Sequence, residues 1–216
     1  MKIFIGIPAK NEGSTILIAI NSLRQSIKKA QKAFPDLEYK ILVCVNNSTD
    51  DTEKIIKEHT KGTQDIELFV IKTTGKLEAI VYMLDKMNFH EKNNSNMYLF
   101  CDADILLLEN SKLELIRTKN KYSDSEIIYS RIIPVLNTEL ILPRLRDSYY
   151  SYKQNFHKKN WYFKGCCYLL NNQSAGVFIN TQNKINIIKK ESGIKEPIVD
   201  DVLLSRLYKH AGFETK

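Results

Sequence analysis

Met97-Tyr98-Leu99-Phe100-Cys101-Asp102-Ala103-Asp104 is an apolar run that stops at two carboxylates separated by one residue. An uncharged run of this length reads as a strand buried on both faces, over 97–101. On an extended backbone residues i and i+2 point the same way, so Asp102 and Asp104 converge at a solvent-facing strand end. Two such carboxylates repel unless a cation sits between them. Hard oxygen donors suit Mg²⁺ or Mn²⁺, so this pair is a candidate metal site whose metal would bridge a diphosphate. A turn that caps a strand also uses Asp freely, and this is the plainer reading.

The preceding sequence gives the strand its place in a series. Ile3-Phe4-Ile5-Gly6-Ile7 predicts a first strand, followed by a polar loop over 11–15 and a helical pattern through Leu23 and Ile27. The pattern repeats with a strand at 41–45, a polar turn at 46–51 and a helix over 52–59. A third strand at 67–71 then precedes a helix over 77–87. Apolar strands alternating with helices imply an α/β fold with a mostly parallel sheet covered on both sides. Ligands of such sheets bind outside the carboxyl ends of the strands, where this chain carries Asn11-Glu12, Asn46-Asn47, Gly75-Lys76 and Asp102-Asp104. The second half is less regular. It predicts strands at 126–135, 166–170 and 175–179, and helices over 144–155 and 202–210. With no linker or repeat, one domain over 1–216 is expected, with a regular half to about 104 and a smaller mixed half from about 105.

Composition narrows the class without choosing a function. The 216 residues are 43% hydrophobic and 26% charged, as in a folded protein. No run reaches the ~18 apolar residues of a membrane span, and the start lacks the basic head and cleavage site of a signal peptide, so the expected location is cytoplasmic. Cys44, Cys101, Cys166 and Cys167 show no CxxC spacing, and neither disulfides nor zinc are assigned. The net charge of +7 favours anionic partners, although a solvated basic surface is the plainer reading.

Taken in order, the motifs resemble the inverting family 2 glycosyltransferases of the GT-A fold, across nearly the whole chain. Ile7-Pro8-Ala9-Lys10-Asn11-Glu12 is similar to the opening strand and nucleotide loop of that family, and Ser48-Thr49-Asp50-Asp51-Thr52 to the signature after strand two. Cys101-Asp102-Ala103-Asp104 stands at the metal position. Ala175-Gly176-Val177-Phe178 is similar to the glycine segment before the base, and the stretch from Val199 to Leu207 to the acidic pair and helix that follow.

The resemblance implies a Rossmann-like GT-A domain that takes a nucleotide-diphosphate sugar, UDP-linked, together with Mn²⁺ or Mg²⁺, and delivers the sugar to a hydroxyl of a carbohydrate or lipid-linked acceptor. Pro8, Ala9, Asn11 and Glu12 would line the nucleotide pocket, with Asp102 and Ala103 on the donor and Asp102 and Asp104 on the metal. The family usually has an aspartate where this chain has Val45 or Asn46, so the amide of Asn46 or Asn47 would read the base edge. Lys76 stands where a basic residue often faces the donor. Gly176 and Asp200 would lie on the acceptor side, and Asp201 would be the base that takes the acceptor proton.

Plainer uses exist for each. Glu12 suits a helix first turn, Asn46 and Asn47 suit a turn, Lys76 suits solvent, and Asp200 and Asp201 suit a helix N-terminus. Arg131 is read as a phosphate or acceptor contact or as a surface strand residue, and Arg206 as an ion-pair partner that supports the fold.

Residues 144–164 mix Arg144, Arg146, Lys153, Lys158, Lys159 and Lys164 with Tyr149, Tyr150, Tyr152, Phe156, Trp161, Tyr162 and Phe163. The preferred reading is an acceptor-side surface touching the membrane's inner face, and the alternative is a helix packing its aromatic residues onto the sheet. No nucleic acid partner is expected. Related enzymes continue past the equivalent of Lys216 into another strand and a lid, so the chain is expected to be a short member or a truncated one. Two other functions fit less well: an inactive nucleotide-sugar-binding protein of the same fold, and a sugar-phosphate nucleotidyltransferase. The first is opposed by Asp102, Asp104 and Asp201, and the second by the lack of a glycine-rich, arginine-containing loop at Pro8 to Gly13.

Overall fold

Side chains on the central strands alternate between two buried layers, and that alternation sets the architecture. The computed structural model describes residues 2–73, 75–87, 96–121, 127–130 and 166–180. It holds β1 (Lys2–Ala9), α1 (Ile16–Ala33), β2 (Glu38–Asn46), α2 (Thr52–Thr60), β3 (Ile66–Ile71), α3 (Lys76–Lys86), β4 (Met97–Cys101), α4 (Ser111–Lys121), β5 (Ile127–Tyr129), β6 (Cys167–Leu170) and α5 (Asn172–Ile179). The six strands form one sheet in the order β3-β2-β1-β4-β6-β5. The first four are mutually parallel, β6 runs antiparallel to β4, and β5 runs antiparallel to β6. The mostly parallel α/β sheet expected from the sequence is present.

One layer joins Ile3, Ile5 and Ile7 of β1 to Ile41, Val43 and Val45 of β2 and to Met97, Leu99 and Cys101 of β4, beneath α1, α2 and α4. The other joins Phe4, Leu42, Cys44, Tyr98, Phe100, Tyr168 and Leu170 to α3 and α5. Burial raises the Cys44 thiol to about 12, so this cysteine behaves as an inert small hydrophobe. Helices on both faces follow from right-handed crossovers that wind one way from β1 to β3 and the other way from β3 to β4. Gly6 is required where the two central strands meet. A Cβ there would lie 2.5 Å from Cε1 of Phe100 and 3.2 Å from the sulfur of Met83.

α1 buries Ile16, Ala19, Ile20, Leu23, Ile27 and Ala30, spaced as one apolar stripe. Ser22 and Ser26 lie on the same buried face. The Ser22 hydroxyl accepts the Leu107 N–H at 3.1 Å, and that of Ser26 accepts the Lys112 N–H at 2.9 Å. The segment after β4 is thereby tied to α1, which fixes the exit path of the strand bearing Asp102.

Two elements depart from the sequence reading. Residues 175–179, expected as a strand, belong to α5. Asn171 starts this helix: its Oδ1 accepts the Ser174 N–H at 2.8 Å and the Ser174 hydroxyl at 2.9 Å, a side-chain cap that outweighs the strand preference of Val177, Phe178 and Ile179. Ala175 and Ile179, four residues apart, then share the helix face that meets α3. α4 was not foreseen, because its charged surface residues interrupt the short apolar pattern of Leu113, Leu115 and Ile116. The expected strand at 126–135 is present over Ile127–Tyr129, and its remainder lies outside the described residues. So do the expected helices over 144–155 and 202–210. Among the described residues no helix is long and apolar enough to cross a membrane.

Candidate active site

Every strand-to-helix loop of the parallel sheet opens on the same edge, and the loops after β1 and β2 are bolted to each other there. The Asn11 N–H donates to the Ser48 hydroxyl at 3.0 Å, and Asn11 Oδ1 accepts the Thr49 N–H at 2.8 Å. The Glu12 N–H donates to Thr52 Oγ1 at 2.8 Å, and the Gly13 N–H to Asp50 Oδ2 at 3.0 Å. Asp50 also accepts from the Thr52 hydroxyl and N–H, and these bonds, the hydroxyl's foremost, hold its carboxyl below the usual range. Asn11 and Asn47 adopt left-handed backbone, with φ of 57° and 53°, which asparagine tolerates better than most residues. Glu12 closes the bracket by accepting the Thr15 hydroxyl on Oε2 at 2.7 Å. The Ser48 to Thr52 motif therefore works as a loop-to-loop lock.

Asn46 does a similar job one crossover further on. It is 5% exposed, and its Oδ1 accepts the Thr73 N–H at 2.9 Å and the Thr73 hydroxyl at 3.1 Å, while Nδ2 donates to the Gly75 carbonyl at 2.8 Å. Most of its hydrogen-bonding capacity is spent on the β3–α3 loop, which leaves the exposed Asn47 as the freer amide of the two. By clamping Gly75, Asn46 fixes the start of α3 and hence Lys76.

Lys76 reaches the end of β4. Its Nζ lies 2.6 Å from Asp102 Oδ1, with side-chain exposures of 25% and 21%. β1 and β4 pair only as far as Gly6 and Phe100, so Pro8 and Ala9 on one side and Asp102 on the other flank a crevice where the sheet reverses its winding. Pro8, lacking an N–H, lies past the end of that ladder, where no β4 carbonyl needs it. Burial foremost raises the Asp102 carboxyl above its ordinary range, the nearby Asp104 adds to this, and the Lys76 ammonium opposes it. The Asp102 N–H donates to the Cys166 carbonyl at 2.8 Å, so β6 also helps to hold this residue.

β4 ends at Cys101, and Ala103 and Asp104 lie in a turn. The two acids are thus neighbours through a turn and not through strand alternation, with Ala103 buried at 3% between them and Asp104 exposed. They offer two sets of hard oxygen donors, one sheltered and one open, which fits a cation such as Mn²⁺ or Mg²⁺ that takes its other ligands from a diphosphate and water. Among the described residues no group of three or more His, Cys, Asp or Glu side chains is arranged to hold a metal without such help.

The structure thus places Pro8, Ala9, Lys76, Asp102 and Asp104 on the carboxyl edge of the sheet where its winding reverses, with Lys76 brought onto Asp102, and Asn11, Glu12, Asn46 and Asn47 in or beside the loops of that same edge. Gly176 lies in α5, where its carbonyl accepts the Asn180 N–H at 3.1 Å. Asp200, Asp201, Arg131, Arg206 and the stretch 144–164 lie outside the described residues. Sequence reasoning overlooked Ser22, Ser26 and Thr73, which position the site without lining it. Two serines on the apolar stripe of α1 were the available signal.

The family model for glycosyl transferase family 2 matches residues 4–175. The chain belongs to this family. Among curated proteins none matches it in sequence. Three solved structures resemble it in fold. The mannosyltransferase PcManGT from Pyrobaculum calidifontis, in complex with GDP-Man and Mn²⁺, is 15% identical with a TM-score of 0.56, over 81% of this chain and 45% of that one. A fragment of S. aureus TarS, residues 1–349, is 14% identical with a TM-score of 0.51, over 96% and 55%. The 4-diphosphocytidyl-2C-methyl-D-erythritol synthase from Anaerococcus prevotii is 13% identical with a TM-score of 0.52, over 99% and 84%. The chain spans about half the length of the first two of these. Its sheet is that of the GT-A glycosyltransferases, and the family 2 match covers the crevice and all the loops just described.

Proposed function

We propose that this family 2 domain is a metal-dependent inverting glycosyltransferase, moving a sugar from a nucleotide-diphosphate sugar, UDP-linked, to an acceptor hydroxyl. The observation that carries the reading is the Lys76–Asp102 pair at the β1/β4 crevice, 2.6 Å apart and drawn from different crossovers. A partly sheltered cation beside two carboxylates makes a place for a diphosphate, whose negative charge needs both Lys76 and a metal to be tolerated there. Asp102 and Asp104 would hold Mn²⁺ or Mg²⁺, which when bound supplies Lewis-acid stabilisation of the leaving diphosphate. PcManGT, crystallised with GDP-Man and Mn²⁺, supports a divalent ion and a nucleotide-sugar donor by likeness of fold.

Pro8, Ala9, Asn11 and Glu12 would border the nucleotide, with the exposed amide of Asn47 at the base edge. Asp201 is assigned as the base on the acceptor hydroxyl, with Asp200 and Gly176 on the acceptor side. The acceptor is a carbohydrate or a lipid-linked one, engaged through the basic and aromatic stretch 144–164 at the membrane's inner face. The fold likeness to the diphosphocytidyl synthase favours a nucleotidyltransferase as the second reading. The loop from Pro8 to Gly13, without the glycine-rich, arginine-containing pattern, counts against it.

Calorimetry with UDP, GDP and CDP tests the assignment. Binding should need Mn²⁺ and should weaken in Asp102→Asn and Asp104→Asn; equal binding in Mn²⁺ and in EDTA would remove the metal role. Asp201→Asn should keep donor binding and cut transfer by about two to four orders of magnitude. Near-normal transfer would move the base elsewhere, with Asp200 tested next.

A further inference from the structure

Cys101 and Cys167 face each other across the β4–β6 ladder, with Sγ atoms 3.5 Å apart although 66 positions separate them in sequence. The next pair along, Asp102 and Cys166, is hydrogen-bonded through the Asp102 N–H. Antiparallel pairs alternate, so Cys101 and Cys167 form a non-hydrogen-bonded pair, the closer kind, with Cα atoms about 4.5 Å apart. That spacing lies within the roughly 4.4–6.8 Å that a disulfide spans.

A third side chain sets this spot apart from ordinary core. Lys112 of α4 is 3% exposed, and its ammonium lies 3.5 Å from Cys101 Sγ. A sheltered ammonium requires an acceptor, and Ala or Val at position 101 would fill the strand without supplying one. Sulfur at position 101 therefore has a polar role besides packing.

We propose that Cys101 and Cys167 are a redox-responsive pair, converted by a hydroperoxide to a disulfide that staples β6 to the strand presenting Asp102. This inference is independent of the glycosyltransferase reading. Hydrogen peroxide first transfers an oxygen to one sulfur, its O–O bond breaking, to give a sulfenic acid and water. The second thiol then condenses with it: the S–S bond forms, the S–O bond breaks and a second water leaves. In sum the pair loses two protons and two electrons, and one peroxide becomes two waters. Cys101 and Cys167 are each 3% exposed, so the oxidant has to be as small as hydrogen peroxide. Cys166 is the competing target, being less buried and hydrogen-bonded through its side chain to Asp102.

The experiment treats the full chain with hydrogen peroxide, alkylates the remaining thiols and maps peptides by mass spectrometry without reduction. A linked Cys101–Cys167 peptide two hydrogens lighter is expected, with Cys44 still alkylated and the link removed by dithiothreitol. The melting temperature should rise on oxidation and return on reduction, because the crosslink closes a long loop. Cys166→Ser should still form the link, and Cys101→Ala and Cys167→Ala should not. If either alanine variant fails to fold, the wild-type peptide map decides alone. Free Cys101 and Cys167 under conditions that oxidise Cys166 would overturn the proposal, as would a link formed through Cys166 instead. A link with no rise in melting temperature would overturn the staple.

Discussion

Replacing Lys76 by Met should destabilise the protein by more than a surface ion pair would, and removing Asp102 as well should restore most of the loss. Lys76 Nζ and Asp102 Oδ1 are 2.6 Å apart with about three-quarters of each side chain sheltered, so the gross attraction at an effective dielectric of ~20 is about 6 kcal/mol. Burial foremost, with the nearby Asp104, nonetheless raises the Asp102 carboxyl, so the two together outweigh what the lysine returns. Lys76→Met removes the return and keeps the cost. Since both groups retain some solvent, the expected loss is that of a hydrogen bond to a charged group, about 1.5–3 kcal/mol. In a domain of this size that lowers the melting temperature by roughly 3–12 °C. Asp102→Asn alone should cost less, because the lysine stem is long enough to carry its charge to water. The double variant, with neither charge, should melt close to wild type. Thermal melts of all four proteins complete a double-mutant cycle, and a coupling energy above about 1 kcal/mol is expected. Additive losses would show that the pair contributes nothing and would refute the bookkeeping used here for the crevice.

Gly6→Ala should destabilise by about 1–3 kcal/mol, because the new methyl meets the Phe100 ring; adding Phe100→Leu should recover part of the loss in urea unfolding. Asn46→Ala leaves the half-buried Thr73 N–H and Gly75 carbonyl without this partner and should cost about 1–3 kcal/mol, with faster amide exchange at Thr73. Arg24 forks onto Asp65 at 2.8 and 2.9 Å, and the guanidinium holds the Asp65 carboxyl below its ordinary range. A depressed carboxyl stabilises the fold above its unfolded value near 3.9 and loses that contribution as pH falls through its folded value. Urea melts from pH 6 downward should therefore show a decline in wild type that is shallower in Asp65→Asn.

Much of this was legible in the chain itself. The apolar runs at 3–7, 41–45 and 97–101 marked three parallel strands, because a strand covered on both faces tolerates almost no charge, and the run at 67–71 marked the half-buried edge strand β3, which admits Glu67. Their polar ends marked the functional edge, and the family resemblance named it. What each polar residue does there was not legible. Asn46 and Asn47 are adjacent and chemically identical, yet one turns inward to clamp Thr73 and Gly75 while the other stands exposed. Ser48 to Thr52 carried a family signature, and its bonds to Asn11, Glu12 and Gly13 span 37 to 40 residues.

The sequence by itself thus determined the α/β class, the strand order in time and the pair Asp102 and Asp104, since periodicity and local composition are properties of neighbours along the chain. The tertiary structure alone decided that residues 172–179 are a helix, that Lys76 meets Asp102, and that Cys101 lies against Cys167 and Lys112. Each of these depends on which segments the sheet order brings together. That order is settled by burying two apolar layers at once, and no window of sequence contains both.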